Sequence, residues 1–148
     1  MSWYPHVTVA TVVEKDGKFL MVREIDNGKT VINQPAGHLE RNESLVQAAV
    51  RETLEETRWV VQPTYVLSIS QYHSPNNNTT YVRITFVAEP LAEHPEAMLD
   101  ADILDAVWMS YEEILASLDS IRSPMVVLDI ENHLRGQRYP LDLVQFVK

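Results

Sequence analysis

Residues 51–59 read RETLEETRW, which sets Glu52, Glu55 and Glu56 beside Arg51 and Arg58 in nine positions. At about 100° per helical residue the three carboxylates fall within roughly a third of a turn, and like charges so spaced weaken a helix. Leu45, Val46, Ala49, Val50, Thr53 and Leu54 form the apolar face, and its edge adjoins the acidic arc. The acids are therefore expected at the rim of the packed face, where a lower dielectric strengthens their repulsion. A hard cation would convert that repulsion into chelation, because Mg2+ takes oxygen ligands, keeps several waters and bridges carboxylates to phosphates. By spacing alone, a solvated Glu-rich face eased by an Arg51–Glu55 pair is the commoner meaning of such a run.

The surrounding residues narrow the choice. GHLERNESLVQAAVRETLEETRW, residues 37–59, resembles the Nudix box, G-x5-E-x7-R-E-U-x-E-E-x-G-U with U apolar. Gly37, Glu43, Arg51, Glu52, Glu55, Glu56 and Trp59 match. Thr53 is a weak occupant of the first apolar position, and Arg58 replaces the second glycine. The resemblance implies Mg2+ or Mn2+ held by Glu52, Glu55, Glu56 and the Gly37 carbonyl. It further implies that Arg51 orients a metal-binding glutamate and that Glu43 ties the loop to the helix. PHVTVATVV, GKFLMV, NQPAGHLE and LRGQRYPL extend the likeness to bacterial phosphatases of this family over nearly the whole chain.

What the likeness implies is an α/β/α sandwich, a mixed β-sheet flanked by helices, carrying a metal-dependent phosphohydrolase. The substrates implied are nucleoside di- and triphosphates and the diphosphates of hydroxymethylpyrimidine and thiamine. An ADP-ribose or nucleoside-diphosphate-sugar pyrophosphatase is the alternative, to which Pro75, sixteen residues past the box, lends weak support. A non-catalytic nucleotide sensor is the third reading, and the intact box glutamates oppose it. Isopentenyl diphosphate isomerase chemistry is excluded, since it needs a cysteine and the chain has none.

Among catalytic groups the family draws its base from the box helix or from a later loop. Glu55 and Glu52 are the helix candidates. The loop LDADILDAVW offers Asp100, Asp102 and Asp105, of which Asp102 matches by its spacing to Trp108. For substrate phosphate the expected contact is Arg83, a cation inside the apolar strand YVRITF that either snorkels or faces a polar site. Arg23, Gln34 and His38 are weaker candidates, and Trp3, Tyr4 and Tyr72 could stack on a ring, although aromatics more often pack in cores.

These residues need elements to hold them. HVTVATVVE (6–14) and FLMVRE (19–24) alternate and read as a hairpin across KDGK. A short segment, VINQPAG, precedes a helix over Ser44–Thr57, with Ser44 and Gln47 forming a capping box. TYVLSISQYH (64–73) and TYVRITFVAE (80–89) are strands around a turn, followed by an acidic loop from Pro90 to about Asp105 and a short strand, AVWMS. SYEEILASL and SPMVVLDIENHLRG are helices, the second marked by Ser123, Pro124 and Gly136. If the acidic helix ends at Arg58 in the left-handed conformation, the side chain costs about 1–2 kcal/mol. Arg58→Gly is then expected to stabilise the fold modestly and leave activity intact.

Bulk properties agree with this reading. The 148 residues suit one domain, 1–148, with a single core. A composition 45% hydrophobic and 22% charged is that of a soluble globular chain. A net charge of −9 disfavours nucleic acid polymers and anionic membranes, but admits small anions bridged by a divalent cation. The absence of cysteine excludes disulfides and zinc-thiolate sites and fits the cytoplasm. Glycosylation-type triplets at Asn42 and Asn77 are read as chance matches. The expected partner is a small phosphorylated substrate, acted on by a monomer, with a dimer as the alternative.

Overall fold

The structure, a computed structural model, describes residues 2–148. In chain order the elements are β1 (His6–Lys15), β2 (Lys18–Asp26), β3 (Lys29–Asn33), β4 (Ala36–His38), α1 (Leu45–Thr57), β5 (Trp59–Ser74) and β6 (Thr79–Glu93). β7 (Ile103–Ser110), α2 (Tyr111–Ala116), α3 (Pro124–Leu134) and β8 (Tyr139–Pro140) complete it. The strands form one mixed sheet in the order β3-β2-β1-β6-β5-β8, with β4 paired to β1 and β7 to β2. β1 and β6 run parallel and the other pairs antiparallel.

Helices cover both faces, so residues 8–13 of β1 are all buried, as parallel strands between helical layers must be. On one face Ala48 and Ala49 of α1 pack against Val9, Val66, Ile84 and Phe86. On the other, Ile114 of α2 and Val126 and Ile130 of α3 pack against Val12, Phe19, Met21, Leu67 and Val87. The period-two alternation of β6 therefore turns Ile84 and Phe86 to α1, and Arg83, Thr85 and Val87 to the α3 side. No helix among the described residues is long and apolar enough to cross a membrane.

The expected α/β/α sandwich is the observed architecture. Both helix starts hold: Ser44 and Gln47 form the capping box of α1, and the Ser123 hydroxyl accepts from the Met125 N–H with Pro124 in the first turn of α3. The acidic loop is shorter than expected, because β6 runs through Pro90 to Glu93, paired with β5 from its first residue, Trp59. The buried face of α1 comprises Ala48, Ala49, Thr53, Glu56 and Thr57, so it is rotated toward the acids relative to the face read from hydropathy. Thr53 suits this face because its hydroxyl donates to the Ala49 carbonyl at 2.8 Å and meets the Thr11 hydroxyl at 2.9 Å.

Candidate active site

Gly37 in β4 sits against the middle of α1. A β-carbon there would lie 2.1 Å from Glu52 Cδ, so the position needs glycine for room. Below it, Arg51 organises the acids. Its Nε and Nη2 donate to the two oxygens of Glu43 at 2.9 and 2.7 Å. Its Nη1 reaches Glu52 at 2.8 Å and Glu55 at 2.9 Å, and Nη2 also donates to the His38 carbonyl at 3.1 Å. One guanidinium thus pins the loop before α1 to the helix and aims two of its carboxylates.

Glu52, Glu55 and Asp100 each bring a carboxylate oxygen within 4.8 Å of the others. Asp100 arrives from the loop after β6, where its N–H donates to the Glu55 carbonyl at 3.1 Å. Burial pushes the Glu52 carboxyl pKa up against the opposing pull of Arg51, and burial with the Glu55 charge raises that of Asp100. Glu56 lines the cleft, within reach of the Glu52 and Asp100 charges, and accepts from the Ala36 N–H at 2.9 Å. Burial pushes its pKa up to about 9.

Beside this cluster opens a cleft of about 440 Å3 that Gly37 and Glu56 share with Thr8, His38, Arg83 and Arg122, among others. Its floor is Arg83, opposite Thr8 in the β1–β6 register. Arg83 Nη1 donates to Gln34 Oε1 at 3.3 Å, while the Gln34 amide nitrogen donates to Asp129 at 3.1 Å. Asp129 is fully buried and also accepts from Ser68 and Thr85. Tyr72 and Tyr81 line the cleft as paired residues of β5 and β6, and the His6 ring lies 5.8 Å from Tyr81 and 5.1 Å from His38.

The NUDIX domain family matches residues 4–128. The phosphatase NudJ of Escherichia coli is 46% identical over 140 residues, 95% of this chain and 90% of that protein. The chain belongs to the Nudix hydrolase family. A NUDIX hydrolase structure from Nitrosomonas europaea superposes with a TM-score of 0.95 at 43% identity, covering 97% of this chain and 98% of that one. An ADP-ribose pyrophosphatase from Streptococcus suis shares the fold alone, with a TM-score of 0.69 at 16% identity over 92% of this chain and 96% of that one.

In this Nudix hydrolase the expected residues separate into groups. Glu52 and Glu55 share the carboxylate cluster, while Gly37, Glu56, Arg83 and His38 line the cleft. Asp102 is outside the cluster, and Asp100 stands there instead. The chain turns between them, with the Ile103 N–H donating to the Asp100 carbonyl, and the Asp102 carbonyl accepts from Ile25. Arg23 is not a cleft residue: it faces Asp105 across the β2–β7 pair and binds both carboxylate oxygens, at 2.7 and 2.5 Å. Gln34 is 1% exposed with both ends of its amide engaged, to Arg83 and Asp129, and stands behind Arg83 outside the cleft lining. Trp3 and Tyr4 are exposed, Tyr4 stacking on His6 at 5.8 Å. Arg122, Tyr81 and Asp129 escaped the sequence reading. Only a charge before a helix cap marked Arg122.

Proposed function

We propose that this Nudix hydrolase uses Mg2+ or Mn2+ to hydrolyse a phosphoanhydride bond of small diphosphate-containing molecules. Nucleoside di- and triphosphates, and the diphosphates of hydroxymethylpyrimidine or thiamine, are the candidate substrates. The observation that carries the reading is the meeting of a carboxylate cluster and an arginine-floored cleft at Gly37, where a β-carbon has no room. Likeness to a protein named a phosphatase supports it.

The residues fit a hard dication. Glu52, Glu55 and Asp100 offer converging oxygens, and the raised pKa values of Glu52 and Asp100 reflect charges that gain from a cation. Glu56 and the Gly37 carbonyl are the further donors implied by the box. When bound, the ion supplies a Lewis acid for phosphoryl oxygens and makes water more acidic. Water attacks phosphorus, the P–O bond to the leaving phosphate breaks, and the water proton passes to the Glu55 carboxylate. Arg51 keeps Glu55 and Glu52 aimed. Arg83 donates to a phosphate oxygen, and Tyr72, Tyr81 and His38 flank the organic moiety.

A panel of phosphorylated metabolites with Mg2+, read by phosphate release and product identity, tests the reading. Turnover of at least one diphosphate is expected, with loss of turnover in a folded Glu55→Gln variant. A folded wild-type protein that binds these compounds and turns over none sinks the proposal in favour of a sensor.

A further inference from the structure

The cleft floored by Arg83 carries a second arginine on its wall. Arg122 directly precedes the cap of α3, and its backbone N–H donates to the Ile32 carbonyl at 2.9 Å. Its Nη1 donates to the buried Glu24 carboxylate at 2.6 Å, and 42% of the side chain stays exposed. Arg83, by contrast, is 7% exposed, holds one long bond to Gln34 at 3.3 Å, and has an Nε with no partner among the described residues. A guanidinium offers five donors, and leaving them unmet in a buried site is costly.

A further buried atom without a partner among the described residues, the Thr8 hydroxyl, lines this same cleft and can donate to an anion. Burial lowers the Arg83 pKa, Asp129 opposes that shift, and the neighbouring Arg122 charge lowers it further. Asp129 already serves Gln34, Ser68 and Thr85. Two guanidiniums that repel each other across a polar, under-bonded cleft are reconciled by an anion between them.

We infer that Arg83 and Arg122 form an anion site that binds a phosphate group independently of the carboxylate cluster. The inference builds on the phosphohydrolase reading and specifies its substrate. A terminal phosphate, doubly charged and rich in acceptors, gains from both guanidiniums, whereas a singly charged internal phosphodiester gains less. The site therefore favours phosphate chains with a free end over nucleotide sugars. Glu24, which shares the cleft wall, opposes the anion and competes directly for Arg122.

The test is calorimetric titration of pyrophosphate into the full chain with a chelator present, so that no divalent cation contributes. Saturable binding is expected despite the net charge of −9. Arg122→Gln weakens it at least tenfold, and Glu24→Gln tightens it several-fold by releasing Arg122. Should Arg122→Gln fail to fold with Glu24 left unpaired, the Glu24→Gln/Arg122→Gln double variant removes both charges and must also lose binding. Absence of cation-free binding, or affinity indifferent to these variants, overturns the anion site. Turnover with Mg2+ judges the phosphohydrolase reading separately. Turnover without cation-free binding keeps that reading and removes the anion site; cation-free binding without turnover does the reverse.

Discussion

Arg58→Gly sets two contributions of opposite sign against each other. Arg58 closes α1 in the left-handed conformation, φ 67° and ψ 12°, where its β-carbon costs about 1–2 kcal/mol. Glycine would remove that strain, and on this ground alone the variant should melt higher. The side chain, however, is in use. Its Nε donates to the Ala97 carbonyl at 2.6 Å, tying down the loop that delivers Asp100. A hydrogen bond from a charged donor contributes about 1.5–3 kcal/mol, and partial exposure places this one near the lower figure. The two nearly cancel, so the expected net change lies between a gain and a loss of about 0.5 kcal/mol, or less than about 2 °C in melting temperature for a chain of this length.

Arg58→Ala separates the two. It keeps the strain and loses the bond, and should fall about 1–2 kcal/mol below Arg58→Gly. The loop retains two backbone ties, His94 N–H to the Arg58 carbonyl at 2.7 Å and Asp100 N–H to the Glu55 carbonyl at 3.1 Å. Asp100 should therefore loosen without being lost, weakening Mn2+ binding by about three- to tenfold, which corresponds to about 0.7–1.4 kcal/mol. Thermal melts of the three proteins and Mn2+ titrations supply the numbers. If Arg58→Gly melts 2–4 °C higher, a gain of about 1 kcal/mol, with unchanged Mn2+ affinity, the Ala97 bond contributes nothing and the reasoning fails.

Gly37→Ala brings a β-carbon to within 2.1 Å of the Glu52 carboxyl carbon, so the carboxylate must move by about an ångström. A displacement of that size at a reacting centre costs on the order of a hundredfold in rate, measurable alongside weakened Mn2+ binding; unchanged kinetics would show that Glu52 is not needed where it stands. Asp100→Asn should lower both Mn2+ affinity and kcat, whereas Asp102→Asn should leave both within about twofold, since an exposed loop acid outside the cluster contributes little; the opposite ranking would restore Asp102. Without divalent cation, stability should fall as pH rises from about 4.5 toward 9. Glu56 ionises in the unfolded chain near 4.5 but in the fold only near 9, so between those values the unfolded state alone gains from releasing the proton. Each tenfold of that difference costs about 1.4 kcal/mol, and Mg2+ should flatten the profile. A pH-independent melting temperature in chelator would refute the buried, protonated Glu56.

What the sequence disclosed was set by how far each residue stands from its partner. Glu52 and Glu55 are three apart on a helix whose cap, Ser44, is also local, so helical geometry carries them from spacing to a shared site. Arg23 and Arg83 looked alike as cations in apolar strands, and only register distinguishes them. Arg23 lies opposite Asp105 on an exposed pair, while Arg83 lies opposite Thr8 between helical layers, with Gln34 and Asp129 behind it. Counting from Trp108 selected Asp102, but the turn between Asp100 and Ile103 presents the earlier acid to α1, and no pattern in the loop announces that turn. Thr53 shows the same limit from inside the motif. As a hydroxyl at an apolar position it reads as a defect, and its explanation, Thr11, lies 42 residues away on β1. The departures at Thr53 and Arg58 thus each answer to a partner outside the box, the Thr11 hydroxyl and the Ala97 carbonyl. A motif fixes which groups its own helix offers; the register and loop path around it decide which of its exceptions are tolerated and which are used.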